Sequence, residues 1–464
     1  MAYSQEILSP REEALPAIPG EPEWLSALRR KALDIYRTSR PEPNPLYSKY
    51  AEISRFEDTG LVPGTFPAEG GKVPAALSDL LEPGLVSLQS GNSRYTLKQL
   101  PDGIEFMSIE RAILEKSEWL SELFAAKGLQ PAHDMYVALN TAMLNGGYIL
   151  HIPKHLNAPP IHLVYVEEEP GHARFHQNIV IVDEGSNASV IEEIVSSYNF
   201  TERSLYSEVT DVMLGEGSSM YYTSLQNMSS SGVFLSSRRC LAGKGSSMHW
   251  ISSYMGAAVT RSRADTVFNG RGSSTEDYEI LFGNGQQRFD VVTDLHHQAQ
   301  DTSGRIVVRS VLRENARSLL RGMIRIGEKA SNTSSYLAEH GMLLSRDARC
   351  DAIPGLEILT NGVKATHSAS VSQLDADQLY YLQTRGLEKD EAEKLMVLGF
   401  FDPVISRIPI DTVRDKLRFL IEDKWNKVIS LKASRHMDEI EFEKYVKDQI
   451  STSSSIFEGH YKYR

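Results

Sequence analysis

The sequence predicts a mainly β protein, a solenoid of stacked strands with helical regions on either side of it. Three observations predict this. A turn motif, Gly-x-Gly-Ser-Ser, recurs at 215–219, 243–247 and 270–274, with a weaker copy, Asp-Glu-Gly-Ser-Asn, at 183–187, and successive copies start 32, 28 and 27 residues apart. Short runs rich in Val, Ile, Tyr and Thr, the residues strands favour, lie between the copies. Apolar residues at helical spacing are confined to the two ends of the chain.

The N-terminal region, 1–146, reads as mostly helical with loops. Pro22 precedes a segment in which Trp24, Leu25, Leu28, Ala32, Ile35 and Tyr36 share one face, and the Pro-Glu-Pro-Asn-Pro run at 41–45 stops it. Gly and Pro are scattered through 60–84, and helical patterns return near 107–127 and 133–145.

The middle region, 147–372, is the repeat. Two degenerate copies of the turn, near 297–301 and 328–332, continue the series. A coil of strands cannot bury its inner face alone, but stacked on its neighbours at about 4.8 Å it completes both the core and the hydrogen-bond ladder. The turn glycines supply the positive φ that repeated sharp corners need. A β-sandwich is the alternative from pattern alone, although sandwiches seldom repeat one turn motif at a fixed long period. The C-terminal region, 373–464, reads as three helices and a tail. Asp375 N-caps the first, which ends near Gly386. The second starts near 389 with Pro403 beyond it, and the third starts near Asp411.

Composition narrows the function. The chain has 464 residues, 41% hydrophobic and 24% charged, as soluble globular proteins do. A net charge of −12 repels nucleic acid and anionic membrane surfaces, and the short basic runs Arg29–Arg30–Lys31 and Arg238–Arg239 read as solvated faces. Only two cysteines, Cys240 and Cys350, are present, too few for a secreted disulfide scaffold. With no signal-peptide pattern and no apolar run of about 18 residues, the expectation is a cytoplasmic protein. The Gly-x-Gly-Ser-Ser copies lack the Lys-Ser/Thr of a phosphate loop.

The segment 354–387, PGLEILTNGVKATHSASVSQLDADQLYYLQTRGL, resembles the signature of the SufB/SufD family of iron–sulfur cluster assembly proteins, and the following AEKLMVLGFFDPVI and EPEWLSALRRKAL at 21–33 are similar to it as well. The resemblance runs from about residue 20 to 430 and is nearer to the SufD branch. It implies a right-handed parallel β-helix between two helical regions. It also implies a non-catalytic scaffold that pairs through the β-helix with a SufB-type paralogue or with itself. Its C-terminal helices would dock the SufC ATPase, and a transient iron–sulfur cluster would form near the subunit interface. His367, in Val-Lys-Ala-Thr-His, matches the histidine position of SufD-like members. Cys350 lies four residues before Pro354, whereas the SufB-type cysteine position falls at Ala348, and the cysteine that often precedes the SufD-type histidine is replaced by Ala365.

The candidate metal residues are therefore His367, Cys350 and Glu357, each with a plainer reading. His367 is either an iron ligand or a surface histidine. Cys350 is either a thiolate, with Arg346 and Arg349 close enough in sequence to lower its pKa, or a buried thiol packing as a small hydrophobe. Glu357 is either a ligand or one half of an ion pair. Two cysteines cannot supply four thiolates, so any cluster would be shared with a partner chain or small thiols. Cys240 reads as core, and His296 and His297 point to opposite faces of a strand. The rival functions are a β-helix polysaccharide enzyme using Asp265, Glu276, Asp277 or Asp290, and a purely structural solenoid. The residues leave flavin binding open.

Overall fold

The computed structural model describes residues 15–40, 61–70, 72–74, 85–98, 100–126, 130–168, 170–197, 199, 201–408 and 410–426. The 41–45 proline run and the predicted C-terminal tail lie outside them. Among the described residues, two largely parallel sheets of eleven strands each face one another, and consecutive strands alternate between them, so each coil contributes one strand to each sheet. This is a parallel β-solenoid of about 10 turns. The first sheet carries, in ladder order, Gly146–Ile152, His172–Val182, Ser204–Leu214, Gly232–Ala242, Val259–Phe268, Arg288–His297, Arg317–Ile326 and the broken pair Arg349–Ala352 and Gly355–Ile358. The second sheet runs from Ile161–Glu167 to Lys364–Gln373. Two strands of about ten residues and two tight turns make one coil, which is why the sequence period is close to 28.

The repeated turn has the geometry the motif requires. Gly217, Gly245 and Gly272 have φ of 64°, 62° and 75°, and in the degenerate copies Asp301 (59°) and Asn332 (57°) take the same place, both residue types that tolerate the left-handed region. The motif's first serine folds back on the turn: the hydroxyls of Ser218, Ser246 and Ser273 donate to the carbonyls of Gly215, Gly243 and Gly270, and Thr302 and Thr333 donate likewise to Ala299 and Ala330. The amides of Gly217, Gly245, Gly272 and Asp301 each donate to the next coil's turn, so the ladder continues round the corner.

Inside, apolar side chains stack from coil to coil, including Tyr206 on Phe234 and the parallel pair Phe268 and His297, 4.1 Å apart. The helices cover the outer faces. Glu23–Thr38 and Met135–Met143 pack Ala32, Tyr36, Met135 and Leu139 against Phe175, Leu205 and Leu235 on the first sheet. Lys389–Ile405 and Asp411–Trp425 pack Phe401, Val404 and Ile421 against Tyr278, Ile280 and Phe282 on the second. No helix among the described residues is long and apolar enough to cross a membrane.

Several local expectations are corrected. Arg29 and Arg238 are buried, not solvated. Arg29 reaches the Ala142 and Pro16 carbonyls and Glu21, and Arg238 sits at an inward strand position, bonded to Ser252 and Tyr254. Pro403 lies inside its helix, which runs two residues further. Strands Leu85–Ser90, Ser93–Thr96 and Glu105–Ser108 lie where the sequence pattern suggests only helices and loops, and two of them join the sheets by antiparallel pairs. Asp375 caps its helix as expected, accepting from the amides of Asp377 and Gln378.

Candidate functional site

The three candidate residues all lie in the last coil. Cys350 pairs in register with Ser318, Glu357 with Arg325, and His367, on the second sheet, with Leu337. Ser318 and Leu337 are inward positions, so Cys350 and His367 project between the sheets, whereas Glu357, an odd number of residues from Cys350, projects outward. Because no further coil stacks on Lys364–Gln373 among the described residues, His367 is exposed although its row is the core row. A pocket of about 330 Å³ lined by Cys350, Asp351, Ala352, Ile353, Ala369, Ser370 and Val371 opens there. His367 is one inward position along the strand from Ala369.

Cys350 is nearly closed off, at 9% exposure, and packs in the core cluster. Burial pushes its thiol up to about 12; Ser318 offsets a little, and the nearby carboxylates Glu339 and Asp351 add to the rise. The anticipated activation by arginine is not in the geometry, since Arg349 is turned to Asp351, with Nε to Oδ2 at 2.7 Å. Cys240 is fully buried, as its strand context suggested. Glu357 Oε2 lies 3.4 Å from Arg325 Nε, so it is part of a surface ion pair in this chain. His340 faces outward and bonds Ser370.

Sequence reasoning missed Glu339. It occupies an inward position between Leu337 and Gly341 and is fully buried beneath this coil. Desolvation pushes its carboxyl up to about 8, with the amides of Gly322 and Ile353 moderating the rise and Glu279 adding to it. Strand alternation alone places this acid on the apolar phase, which was the available signal. At neutral pH it is largely a neutral acid, able to hold a proton near Cys350. The terminal coil thus offers an exposed imidazole, a protonated thiol and a protonated buried carboxyl. That set cannot enclose a metal by itself, but it can contribute donors to a site completed from outside.

The last coil's surroundings are open. Ile358, Leu359 and Val371 are exposed there, and the following helix, Ala376–Thr384, buries none of its residues and presents Tyr380 at 70% exposure beside Tyr381.

Residues 164–400 match the family model described as SUF system FeS cluster assembly, SufBD core domain. The chain is similar to the iron–sulfur cluster assembly protein SufD of Bacillus subtilis, 30% identical over 421 residues, which is 87% of this chain and 94% of that one. It is also similar to iron–sulfur cluster assembly SufBD family proteins of Staphylococcus haemolyticus and Staphylococcus epidermidis, each 26% identical over 410 residues, covering 84% of this chain and 87% of theirs.

Proposed function

Since this chain belongs to the SufBD family of iron–sulfur cluster assembly proteins, we propose that it is a SufD-like, non-catalytic scaffold subunit working in the cytoplasm. It pairs through the last coil of its β-helix with a SufB-type paralogue or a second copy. Its C-terminal region, 373–464, docks a SufC-type ATPase, which supplies the hydrolysis. A transient iron–sulfur cluster is the cargo, and His367 is the residue that offers it a ligand.

The observation that carries this reading is the open terminal coil. Strand Lys364–Gln373 has a partner on one edge only among the described residues, and an unpaired parallel edge bordered by Ile358, Leu359 and Val371 is a surface suited to continuing the sheets into another chain. His367 sits on that edge, so a partner's thiolates would meet it there. Cys350 and Glu357 contribute only if pairing rearranges the coil, freeing the thiol from the core and the carboxylate from Arg325. The ATPase assignment is supported by helix Ala376–Thr384, whose exposed tyrosines no described element covers.

The test is co-purification. The tagged chain is mixed with the SufC-type and SufB-type proteins of its host, and the complex is sized by light-scattering chromatography. A stable assembly that is lost on Tyr380→Ala/Tyr381→Ala supports the docking assignment. A chain that ignores both proteins and stays monomeric overturns it.

A further inference from the structure

We propose that Asp265, Asp294 and His296, with His133 beside them, form a binding site for a divalent transition-metal ion on the outer face of the first sheet. The site does not rest on the assembly reading, because none of its residues belongs to the terminal coil. Asp265 and Asp294 are direct neighbours in the parallel ladder, and His296 is two residues along the same strand as Asp294, on the same face. Its neighbour His297 turns inward onto Phe268, which leaves His296 alone on the outside. One donor atom from each of the three lies within 4.8 Å of the others. Imidazole and carboxylate bonds to such ions are about 2.0–2.2 Å, so two donors to one ion sit roughly 3–4 Å apart, and a side-chain adjustment of under about 1 Å closes the set. The short helical turn Pro131–His133 brings a second imidazole, with His133 Nε2 2.7 Å from Asp265 Oδ2.

An independent observation points to an ion. Asp265 is only 2% exposed, and its Oδ1 has no hydrogen-bond partner; it faces His296 Nε2 at 3.9 Å. A buried carboxylate oxygen left unpaired is costly, and an ion between Oδ1 and Nε2 removes that cost. The surrounding charges fit. Arg263 bonds Oδ2 of both aspartates and Arg325 bonds Oδ2 of Asp294, so the guanidinium groups hold the carboxylates in place on the side away from Asp265 Oδ1. The same arginines neutralise part of the charge and set a modest affinity. A groove of about 640 Å³ lined by His133, Asp294 and five arginines borders the site without reaching Asp265 or His296, and its cationic lining lowers the affinity further. Mixed imidazole and carboxylate donors without thiolate suit Zn²⁺, Fe²⁺ or Mn²⁺ and not a cluster. The competing account is a closed ion-pair network that needs no metal.

The full chain, stripped with a chelator, is titrated anaerobically with Zn²⁺ and separately with Fe²⁺ by calorimetry, with thermal melting in parallel. The site predicts one ion per chain and a melting temperature raised by metal. Affinity falls at least about tenfold in both His296→Ala and Asp294→Asn. Circular dichroism confirms that each variant is folded before it is scored, and His296, partly exposed on an outer face, is the variant least able to disturb the core. No binding of either ion by the wild type, or equal binding by folded His296→Ala, overturns the proposal.

Discussion

Replacing the two glycines of one turn motif separates the two jobs they do. Gly245 has φ of 62°, and a Cβ built there meets nothing within 4 Å. Gly245→Ala therefore costs only the left-handed strain of an L-residue, about 1–2 kcal/mol. Gly243 has no such φ, but its Cβ would lie 2.4 Å from the Leu214 carbonyl oxygen and 3.1 Å from the Gly215 carbonyl carbon, both backbone of the coil below. Relief requires moving one coil off another within a continuous ladder, so Gly243→Ala belongs at the top of the overpacking range, about 3 kcal/mol or more. Gly245→Asn should recover part of the loss, because Asn332 takes the same conformation with φ of 57°. The assay is urea unfolding followed by far-ultraviolet circular dichroism. The expected order of midpoints is wild type, Gly245→Asn, Gly245→Ala, then Gly243→Ala. If Gly245→Ala is as damaging as Gly243→Ala, close stacking of coils is not what the first glycine serves, and the account of the motif fails.

Three further outcomes follow from the buried groups. Glu339 has its carboxyl raised to about 8 from an ordinary 4.5, so ionisation favours the unfolded chain as pH rises through that window. Glu339→Gln should then stabilise the protein by on the order of 4 kcal/mol at pH 8 and by little at pH 4.5, read from urea midpoints at the two pH values; a pH-independent difference would show that the acid is not buried in this way. Glu193 is the opposite case. Burial raises its carboxyl, but Lys416 and His162 outweigh it and hold it at about 2, so its contribution is complete above pH 4.5 and is lost as pH falls toward 2. Glu193→Gln should cost about 3 kcal/mol near neutral pH, at the low end for breaking a buried pair, and should make the 411–425 helix the first protease-sensitive segment; unchanged digestion would count against that anchor. Finally, both thiols are buried, so a thiol reagent at pH 8 should label the isolated native chain far more slowly than the denatured one. Prompt labelling of Cys350 would mean that the terminal coil opens without a partner.

Much of this architecture is legible because the solenoid writes its geometry into the sequence at every turn. A sharp corner must hold a left-handed residue, and the spacing of Gly217, Gly245 and Gly272 reports the length of a coil directly. The later copies were harder to see only because Asp301 and Asn332 satisfy the same backbone demand. Strands in 85–108 escaped because they are short and sit among loop residues, so no period accumulates. Arg238 was misread because a charged pair on a strand divides between two faces, and one of its members met buried hydroxyls. The candidate site was legible in part. Strand alternation puts Cys350 and Glu357, seven residues apart, on opposite faces, which sequence alone could have settled. That His367 shares the inward row with Cys350 depends on how two sheets face each other, and no local pattern carries that information. The outer Asp265, Asp294 and His296 group joins residues from two coils, and its assembly depends on the ladder register.

The measurement that bears most directly on the central claim is anaerobic iron–sulfur reconstitution of the chain assembled with its SufB-type and SufC-type partners, comparing wild type with His367→Ala. Both complexes should assemble with the same mass, and visible cluster absorption should be strongly reduced in the variant. Equal cluster loading in the two complexes would contradict the claim, leaving His367 a surface histidine and the terminal coil a docking edge without a ligand.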